Sequence, residues 1–176
     1  MNNVGARAVL DACMEELQIV SSTLVGLSTS AVAPYLKKYC VIRASGSLEA
    51  AFKKVIADKI EEGSHEQIKN FIQLKVRATS KNPSMDAMEL ALAEFDPRWK
   101  QRFGELTGLA DKPRLRNALG DLVKARNRFA HGGDTDMSID TIIQHFSDGV
   151  KVIEFLDETV HHEYEESLEE ASHEGE

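Results

Sequence analysis

The stretch Arg114–Gly133 reads RLRNALGDLVKARNRFAHGG and has the pattern of an amphipathic helix with a defined end. Its inward positions recur every three or four residues, which is the helical period: Leu115, Leu119, Leu122 and Val123. The two glycines that close it are typical of helix ends, because glycine adopts positive φ without steric cost. We therefore predict a helix from residue 114 to about residue 130.

The same spacing of apolar residues recurs along most of the chain. It predicts helical segments over residues 10–27, 34–63, 64–76, 84–106, 114–130 and 138–164, with a break or a restart at Pro97. The sequence contains no strand pattern, no glycine-rich phosphate loop and no internal repeat. We expect an all-α fold, an up-and-down helical bundle of about five to six helices.

The third of these segments has a signal for its first residue. Ser64 and Gln67 have the spacing of a capping box, in which each side chain satisfies a backbone N–H at the start of a helix. The helix is then expected to turn four apolar side chains inward: Ile68, Phe71, Ile72 and Val76.

The length of 176 residues suits one domain with a core of its own. Hydrophobic residues make up 42% of the chain and charged residues 28%, which is ordinary for a soluble globular protein. After residue 164 the sequence is acidic and almost without apolar side chains, so it cannot contribute to a core. We expect a helical domain over residues 1–164 and a disordered acidic tail over residues 165–176.

The net charge of −8 argues, taken alone, against a surface that binds nucleic acid. The charge is unevenly distributed, however. Residues 98–128 hold nine basic and three acidic residues, whereas residues 154–176 hold ten acidic residues and no lysine or arginine. The helix with the Gly-Gly end and the segment before it are therefore locally basic, as binding of a phosphate substrate requires.

Several classes of protein fit the sequence poorly. The two cysteines, Cys13 and Cys40, are too few for a disulfide framework, and the histidines lack the spacing of a zinc site. The uncharged stretch Leu17–Leu36 is as long as a membrane span, but its polar residues and Pro34 oppose insertion. We expect a cytoplasmic protein with no metal, no cofactor and no membrane contact.

Arg126 and His131 interrupt the pattern of the helix that carries them. Arg126 follows Leu122 by four residues, so it continues the apolar face, where a charge needs a partner or a water-filled groove. His131 lies at the carboxyl end, where the helix dipole favours imidazolium.

Five helical residues separate these two side chains by about 140°. They converge only if the helix ends near His131 or if a second chain supplies one of them. Asn127 shares a face with His131 and could orient its imidazole. An arginine in a last turn and a histidine before glycines are also ordinary capping residues, which is the structural alternative.

The residues Arg126-Asn127-x-x-x-His131-Gly132 resemble the R-x4-6-H motif of the HEPN superfamily, commonly RN-x-x-x-HG near a helix end. A second likeness lies in the stretch Tyr39–Glu49, YCVIRASGSLE, which is similar to the second-helix signature of the RiboL-PSP branch. An apolar helix leads into the motif and a long amphipathic helix follows it. The resemblance extends from about residue 34 to about residue 160.

This resemblance implies a metal-independent endoribonuclease of the toxin or defence-effector type. Such proteins are typically homodimers whose motifs face each other across one cleft. His131 would act as general base or acid, Arg126 would hold the phosphate of an RNA substrate, and the products would be a 2′,3′-cyclic phosphate and a 5′-OH end. Asn127 is the third catalytic candidate.

The resemblance also bears on regulation. An antitoxin or another protein from the same operon is a candidate partner. HEPN toxins that are silenced by a nucleotidyltransferase carry a tyrosine two residues after the histidine. That position is Gly133 here, which argues against silencing of this kind.

Five further residues are candidates for contact with a substrate. Arg128 and Lys124 flank the motif and could bind phosphate, the alternative being solvated helix surface. Arg43, Ser47 and Glu49 belong to the second-helix signature. Since Arg43 and Ser47 are four residues apart, they could line the cleft together or form a polar contact between helices.

Two other functions stay open from the sequence. A non-catalytic HEPN module would bind a partner protein, a nucleotide or RNA without turnover. A purely structural helical dimer would use the stripe from Leu10 to Leu27 as its interface.

Overall fold

The computed structural model describes residues 1–26, 30–134 and 137–164, and these ranges contain seven α-helices and no strand. In chain order the helices are α1 Val4–Val25, α2 Ala33–Glu61, α3 Glu66–Ile72, α4 Met85–Phe95, α5 Pro97–Leu109, α6 Lys112–Ala130 and α7 Ile139–Val160. A π-helical stretch, Gln73–Arg77, continues α3. The all-α prediction is confirmed, while the predicted disordered tail lies outside the described residues.

Short polar residues determine where most of these helices begin. A side-chain oxygen accepts a hydrogen bond from a first-turn N–H at five N-caps: Asn3, Ser84, Asp96, Asp111 and Ser138. Asp96 has extended backbone angles and precedes Pro97, so the predicted segment over residues 84–106 is divided into α4 and α5 at the position where a break or a restart was expected. This division accounts for a seventh helix beyond the five to six that were predicted.

The prediction for α3 was wrong in two respects. Ser64 forms no capping box, because its hydroxyl donates to the carbonyl of Ile60 at the end of α2, and α3 begins without a side-chain cap. Its four predicted inward residues divide into two pairs. Ile72 and Val76 are buried, but Ile68 and Phe71 are 45% and 54% exposed. The short α3 packs against α2, which leaves its opposite face uncovered.

The central helix of the bundle is α2, which contacts α1, α3, α6 and α7. Fully buried phenylalanines from α2, α5 and α7 fill the core between them: Phe52, Phe103 and Phe146. The stripe of α1 belongs to the same core through Leu10, Cys13, Leu17 and Leu24, while Leu27 lies outside the described residues. The described part of this stripe therefore packs within the chain, with Val20 partly buried, which argues against the alternative in which the stripe forms a dimer interface.

Gly149 lies where α7 packs tightly on α2 and α6. A Cβ atom at this position would lie 2.7 Å from Cδ1 of Leu48 on α2 and 3.1 Å from Cδ2 of Leu119 on α6. Both leucines are fully buried, so either side chain could yield only by displacing its neighbours in the core. Only glycine therefore permits α7 to pack at this distance from α2 and α6.

Two buried aspartates of α7 hold the beginnings of other helices. Asp148 accepts hydrogen bonds from Nε and Nη2 of Arg114 at 3.1 and 2.8 Å, which attaches the first turn of α6. Asp157 accepts from the backbone N–H of Asn3 at 2.9 Å, which attaches the start of α1. Buried carboxylates require partners of this kind, because an unpaired charge in a core is costly.

Arg43 connects α2 to α1. Its Nε and Nη2 donate to the two carboxylate oxygens of Glu16 at 2.7 and 2.8 Å, and its Nη1 donates to the Ser47 hydroxyl at 2.8 Å. The Tyr39 hydroxyl donates to the same carboxylate at 2.6 Å. Hydrogen bonds from Arg43 and then from Tyr39 lower the pKa of Glu16 to about 2.

Within the described residues, no helix has both the length and the apolar character needed to cross a membrane.

We expect Gly149→Ala to destabilise the fold by about 1–3 kcal/mol, because the added methyl group overpacks a core that cannot relax. Gly104→Ala is the matched control, since a Cβ atom at this helical position meets nothing within 4 Å. The control should leave stability unchanged or raise it by about 0.5–1 kcal/mol. Urea unfolding followed by circular dichroism measures the free energy of unfolding of both variants. Equal changes in the two variants would show that the space around Gly149 is not restricted.

We expect Glu16→Gln to lower the melting temperature at neutral pH and to have little effect near about pH 2. The folded pKa of Glu16, about 2, lies below the ordinary value of 4.5. Its contribution to stability is therefore complete above the ordinary value and is lost as the pH falls through the folded one. Glu15→Gln is the control, because Glu15 is exposed and forms no ion pair with a described residue. If the difference in melting temperature between Glu16→Gln and wild type stays constant with pH, the Glu16 carboxylate is not its source.

Candidate active site

The carboxyl end of α6 is formed by two glycines in a defined geometry. The N–H of Gly133 donates to the carbonyl of Arg128 at 2.9 Å, and the N–H of Gly132 donates to the carbonyl of Phe129 at 3.0 Å. Gly132 has a φ of +78°, as this type of helix end requires. His131 is consequently the C-cap residue, and it lies on the surface.

Gly133 is constrained by contact rather than by its backbone angles. A Cβ atom here would lie 3.2 Å from the carbonyl oxygen of Arg128, which is the acceptor that closes the helix. A side chain at position 133 would therefore press on the bond that ends α6. Position 133, where the silenced HEPN toxins carry a tyrosine, therefore has little room for a side chain in this chain.

Arg126 turns inward from the last turns of α6, as its position in the apolar stripe predicted. Its Nη1 lies 3.5 Å from Oε2 of Glu49 on α2, and its Nη2 donates to the side chain of Asn82 and, at 3.3 Å, to Oδ1 of Asn127. The side chain remains 25% exposed. The guanidinium is therefore held in one place while part of it stays open to solvent.

His131 points into an open groove on the outer side of α6. The groove has a volume of about 490 Å³ and is lined by Lys124, Asn127, Arg128, His131 and Gly133. Among the described residues, none makes a hydrogen bond or an ion pair with the imidazole. The amide of Asn127 bonds to Arg126 instead, so the predicted orienting contact between Asn127 and His131 is absent.

A second groove runs beside the first, between α6 and the start of α7. Its volume is about 420 Å³, and Lys124 and Arg128 line both grooves. Its other lining residues come from α6, the 131–138 connection and α7: Asp121, Ala125, Met137, Ser138 and Thr141. The two grooves are therefore adjacent and meet at Lys124 and Arg128.

Most positive charge near the motif is already paired. Of the nine basic residues in 98–128, seven form ion pairs with carboxylates: Arg98, Arg102, Lys112, Arg114, Arg116, Lys124 and Arg126. Within the described parts of the chain, Lys100 and Arg128 form none. The basic segment is thus mainly a set of internal ion pairs, and Arg128 is the unpaired cation in the grooves.

The three candidates from the second-helix signature separate in space. Glu49 joins the motif through Arg126, and it also accepts from the Lys81 backbone N–H at 2.9 Å and pairs with Lys53 at 3.3 Å. Arg43 and Ser47 lie in the contact with α1, where the Arg43 guanidinium is occupied by Glu16. A substrate-binding role for Arg43 and Ser47 stays a prediction.

Sequence reasoning missed Asn82 and Asp121. Asn82 lies in the loop before α4 and reaches Arg126 across 44 positions of the chain, which no local pattern reveals. Asp121 pairs with Lys124 at 3.2 Å, a three-residue spacing on α6 that could have been recognised.

Other reactive side chains lie outside this site. Burial raises the pKa of the Cys40 thiol to about 11 and also raises that of Cys13, so both thiols stay protonated and unreactive in the core. In the described part of the chain, no three side chains of the metal-binding types are grouped to hold an ion.

Comparison with known proteins gives one result. A search of curated proteins and a search of solved structures each found no match. A family model described as RiboL-PSP-HEPN matches residues 10–162, which includes α2, the motif and all of α7. The chain therefore belongs to the RiboL-PSP-HEPN family.

Proposed function

We propose that the protein is a metal-independent endoribonuclease whose active site is the carboxyl end of α6. The observation that carries this proposal is the arrangement around the motif: the His131 imidazole opens into a groove, and a fixed arginine lies on the same helix end. Membership of a family of RNA-related modules supports the same choice.

The chemistry requires little from the protein, because RNA carries its own nucleophile. The 2′-oxygen attacks the neighbouring phosphorus, the bond from phosphorus to the 5′-oxygen breaks, and one proton moves from the 2′-OH to the leaving oxygen. His131 is the group suited to this proton transfer, since one imidazole nitrogen can accept a proton while the other donates one. The products are a 2′,3′-cyclic phosphate and a 5′-OH end.

Arg126 and Arg128 have different roles in this proposal. Arg126, held by Glu49, Asn82 and Asn127, is preorganised to stabilise the extra charge of the pentacoordinate phosphate. Arg128 carries the unpaired positive charge of the grooves and would bind the RNA backbone with Lys124.

The biological setting follows from the family resemblance and is part of the proposal. The protein would act as a homodimeric toxin or defence effector in the cytoplasm, with an antitoxin or operon-partner protein as regulator. Gly133 and its contact with Arg128 oppose regulation through a tyrosine at that position.

A non-catalytic HEPN module that binds a partner protein, a nucleotide or RNA is the second candidate. The pairing of seven of the nine basic residues favours the form of this module that binds a partner protein, because few cations are left for RNA. Tight binding of RNA or a nucleotide without turnover, with a salt dependence unchanged by Arg126→Ala, would support this function and contradict the first.

We expect the purified protein to cleave RNA in EDTA and to release cyclic-phosphate ends. His131→Ala should lower the rate by about 10²–10⁴-fold, because proton transfer loses its catalyst. His162→Ala is the control, since His162 is exposed beyond the end of α7 and does not line either groove. Equal, negligible product from wild type and His131→Ala would refute the catalytic assignment.

We expect Arg128→Ala to weaken RNA binding and to reduce the slope of log affinity against log salt by about one unit. Lys100→Ala is the matched control: it removes the other unpaired cation of the basic segment, on α5 rather than in the grooves. Filter binding over a salt series measures both slopes. Identical slopes for the two variants would show that the grooves do not bind the phosphate backbone.

A further inference from the structure

The two grooves beside the end of α6 differ in the charges that line them. The described residues that line the groove at His131 include two cations, Lys124 and Arg128, and no carboxylate. The second groove shares these cations but also holds the carboxylate of Asp121, and we call it the Asp121 groove. A carboxylate repels phosphate and accepts hydrogen bonds from N–H groups. The Asp121 groove therefore suits a neutral ligand with N–H donors better than it suits a second phosphate.

The Asp121 groove has the size and the lining of a site for a small flat molecule. Its volume of about 420 Å³ lies within the range of about 300–1,000 Å³ that is usual for small-molecule sites. Met137 and the buried Ala125 contribute the apolar part of its lining. A methionine thioether makes favourable contacts with aromatic rings. A nucleobase, which is flat, neutral and rich in N–H groups, meets these conditions.

The hydroxyl groups of the Asp121 groove are used within the chain. The Ser138 hydroxyl accepts from the backbone N–H of Thr141 at 3.1 Å as the N-cap of α7, and it lies 2.9 Å from the Thr141 hydroxyl. Two hydroxyl oxygens at this distance share a hydrogen bond. The charged side chains at the α6 edge of the groove therefore decide which base it selects.

Asp121 and Lys124 place a hydrogen-bond donor beside two acceptors. The Lys124 ammonium lies 3.2 Å from Oδ1 of Asp121, and this contact uses one of its three N–H donors. Oδ2 of Asp121 is 3.9 Å from Nε2 of His145, which is too long for a hydrogen bond. Among the described residues, the carboxylate has no other partner. Asp121 and Lys124 are 42% and 71% exposed, so a ligand can reach both.

This order of groups is the complement of the Watson–Crick edge of guanine. That edge presents the O6 acceptor and then two donors, N1–H and the N2 amine. Uracil presents an acceptor, a donor and an acceptor, adenine presents a donor and an acceptor, and cytosine presents a donor and two acceptors. Among the four bases, guanine alone offers a carboxylate two adjacent N–H donors. Because this edge is paired in a duplex, its recognition requires an unpaired guanine.

We infer that the Asp121 groove binds an unpaired guanine base of the RNA substrate. The Asp121 carboxylate accepts from N1–H and from the N2 amine, and the Lys124 ammonium donates to O6. The two grooves meet at Lys124 and Arg128, so this guanine belongs to a nucleotide next to the scissile phosphate. The position of the guanine rests on the proposed ribonuclease function, whereas the binding of guanine does not depend on cleavage.

Binding without cleavage is measured by fluorescence anisotropy at constant salt. The probes are short single-stranded oligouridines whose central base is guanine, hypoxanthine, adenine or uracil. They carry 2′-deoxy sugars throughout, because the attacking 2′-OH is then absent. The guanine probe should bind about 5–150-fold more tightly than the adenine and uracil probes, as expected for one bidentate contact to a base. Hypoxanthine lacks only the N2 amine of guanine, so it should lose part of this preference.

Asp121→Asn separates the carboxylate from general effects of charge. The amide keeps the size of the side chain but replaces one acceptor by a donor, so the preference for guanine should be lost. Asp140→Asn is the matched control, because it removes an exposed carboxylate from the first turn of α7 that lines neither groove. Each variant removes one negative charge and strengthens binding of every probe alike, so the ratio between probes is compared.

Three results of the binding experiment would overturn the inference. They are equal binding of all probes by the wild type, a preference for a base other than guanine, and a guanine preference that Asp121→Asn leaves intact. The control Asp140→Asn should retain the wild-type ratio, and a loss of the ratio in this variant as well would exclude Asp121 as its specific source. Circular dichroism of each variant verifies that the helical content is unchanged.

Cleavage separates the base site from the proposed chemistry. If the protein cleaves RNA of random sequence, guanine should be enriched beside the cut for wild type and Asp140→Asn, but not for Asp121→Asn. Binding of guanine that depends on Asp121, without any cleavage, would support the base site and refute the ribonuclease function. Cleavage without any preference for guanine would refute the base site and support the ribonuclease function.

Discussion

The contact of Gly149 with Leu48 and Leu119 sets the spacing of the three helices on which the candidate site depends. Because α7 approaches this closely, α2 and α6 are held together beneath it. Glu49 directly follows Leu48, and Arg126 lies two helical turns after Leu119, so the same packing brings the carboxylate to the guanidinium. A side chain as small as alanine at position 149 would therefore disturb the ion pair between Glu49 and Arg126 in the candidate site.

Ion pairs within the fold neutralise most of the positive charge of the basic segment, residues 98–128. In the sequence, residues 98–128 suggest a positive surface for RNA. In the fold, most of these cations neutralise carboxylates on α4, α6 and α7, and the buried Asp148 takes Arg114 as its partner. Among the described residues, Lys100 and Arg128 are the basic residues of this segment without a carboxylate partner, and Arg128 lines the same groove as the imidazole of the motif.

Local patterns predicted the helices well because caps and apolar periodicity act within a few residues. The end of α6 is an example, since Gly132 takes the positive φ expected of it. Long-range packing explains the failures. Ile68 and Phe71 have a helical spacing but no helix to pack against, and Ser64 bonds backward to α2 instead of capping α3. The inward turn of Arg126 was predictable, but its partner Asn82 was not.

The sequence by itself determined the all-α class, the helix end at His131 and the family, because each depends on short-range geometry or on a contiguous motif. Only the tertiary structure decided which surfaces are used internally and which remain free. Burial of the α1 stripe, neutralisation of the basic segment and exposure of the outer face of α3 all depend on how helices distant in sequence pack. Periodicity identifies the apolar face of a helix, but a partner of matching shape decides whether the chain covers it.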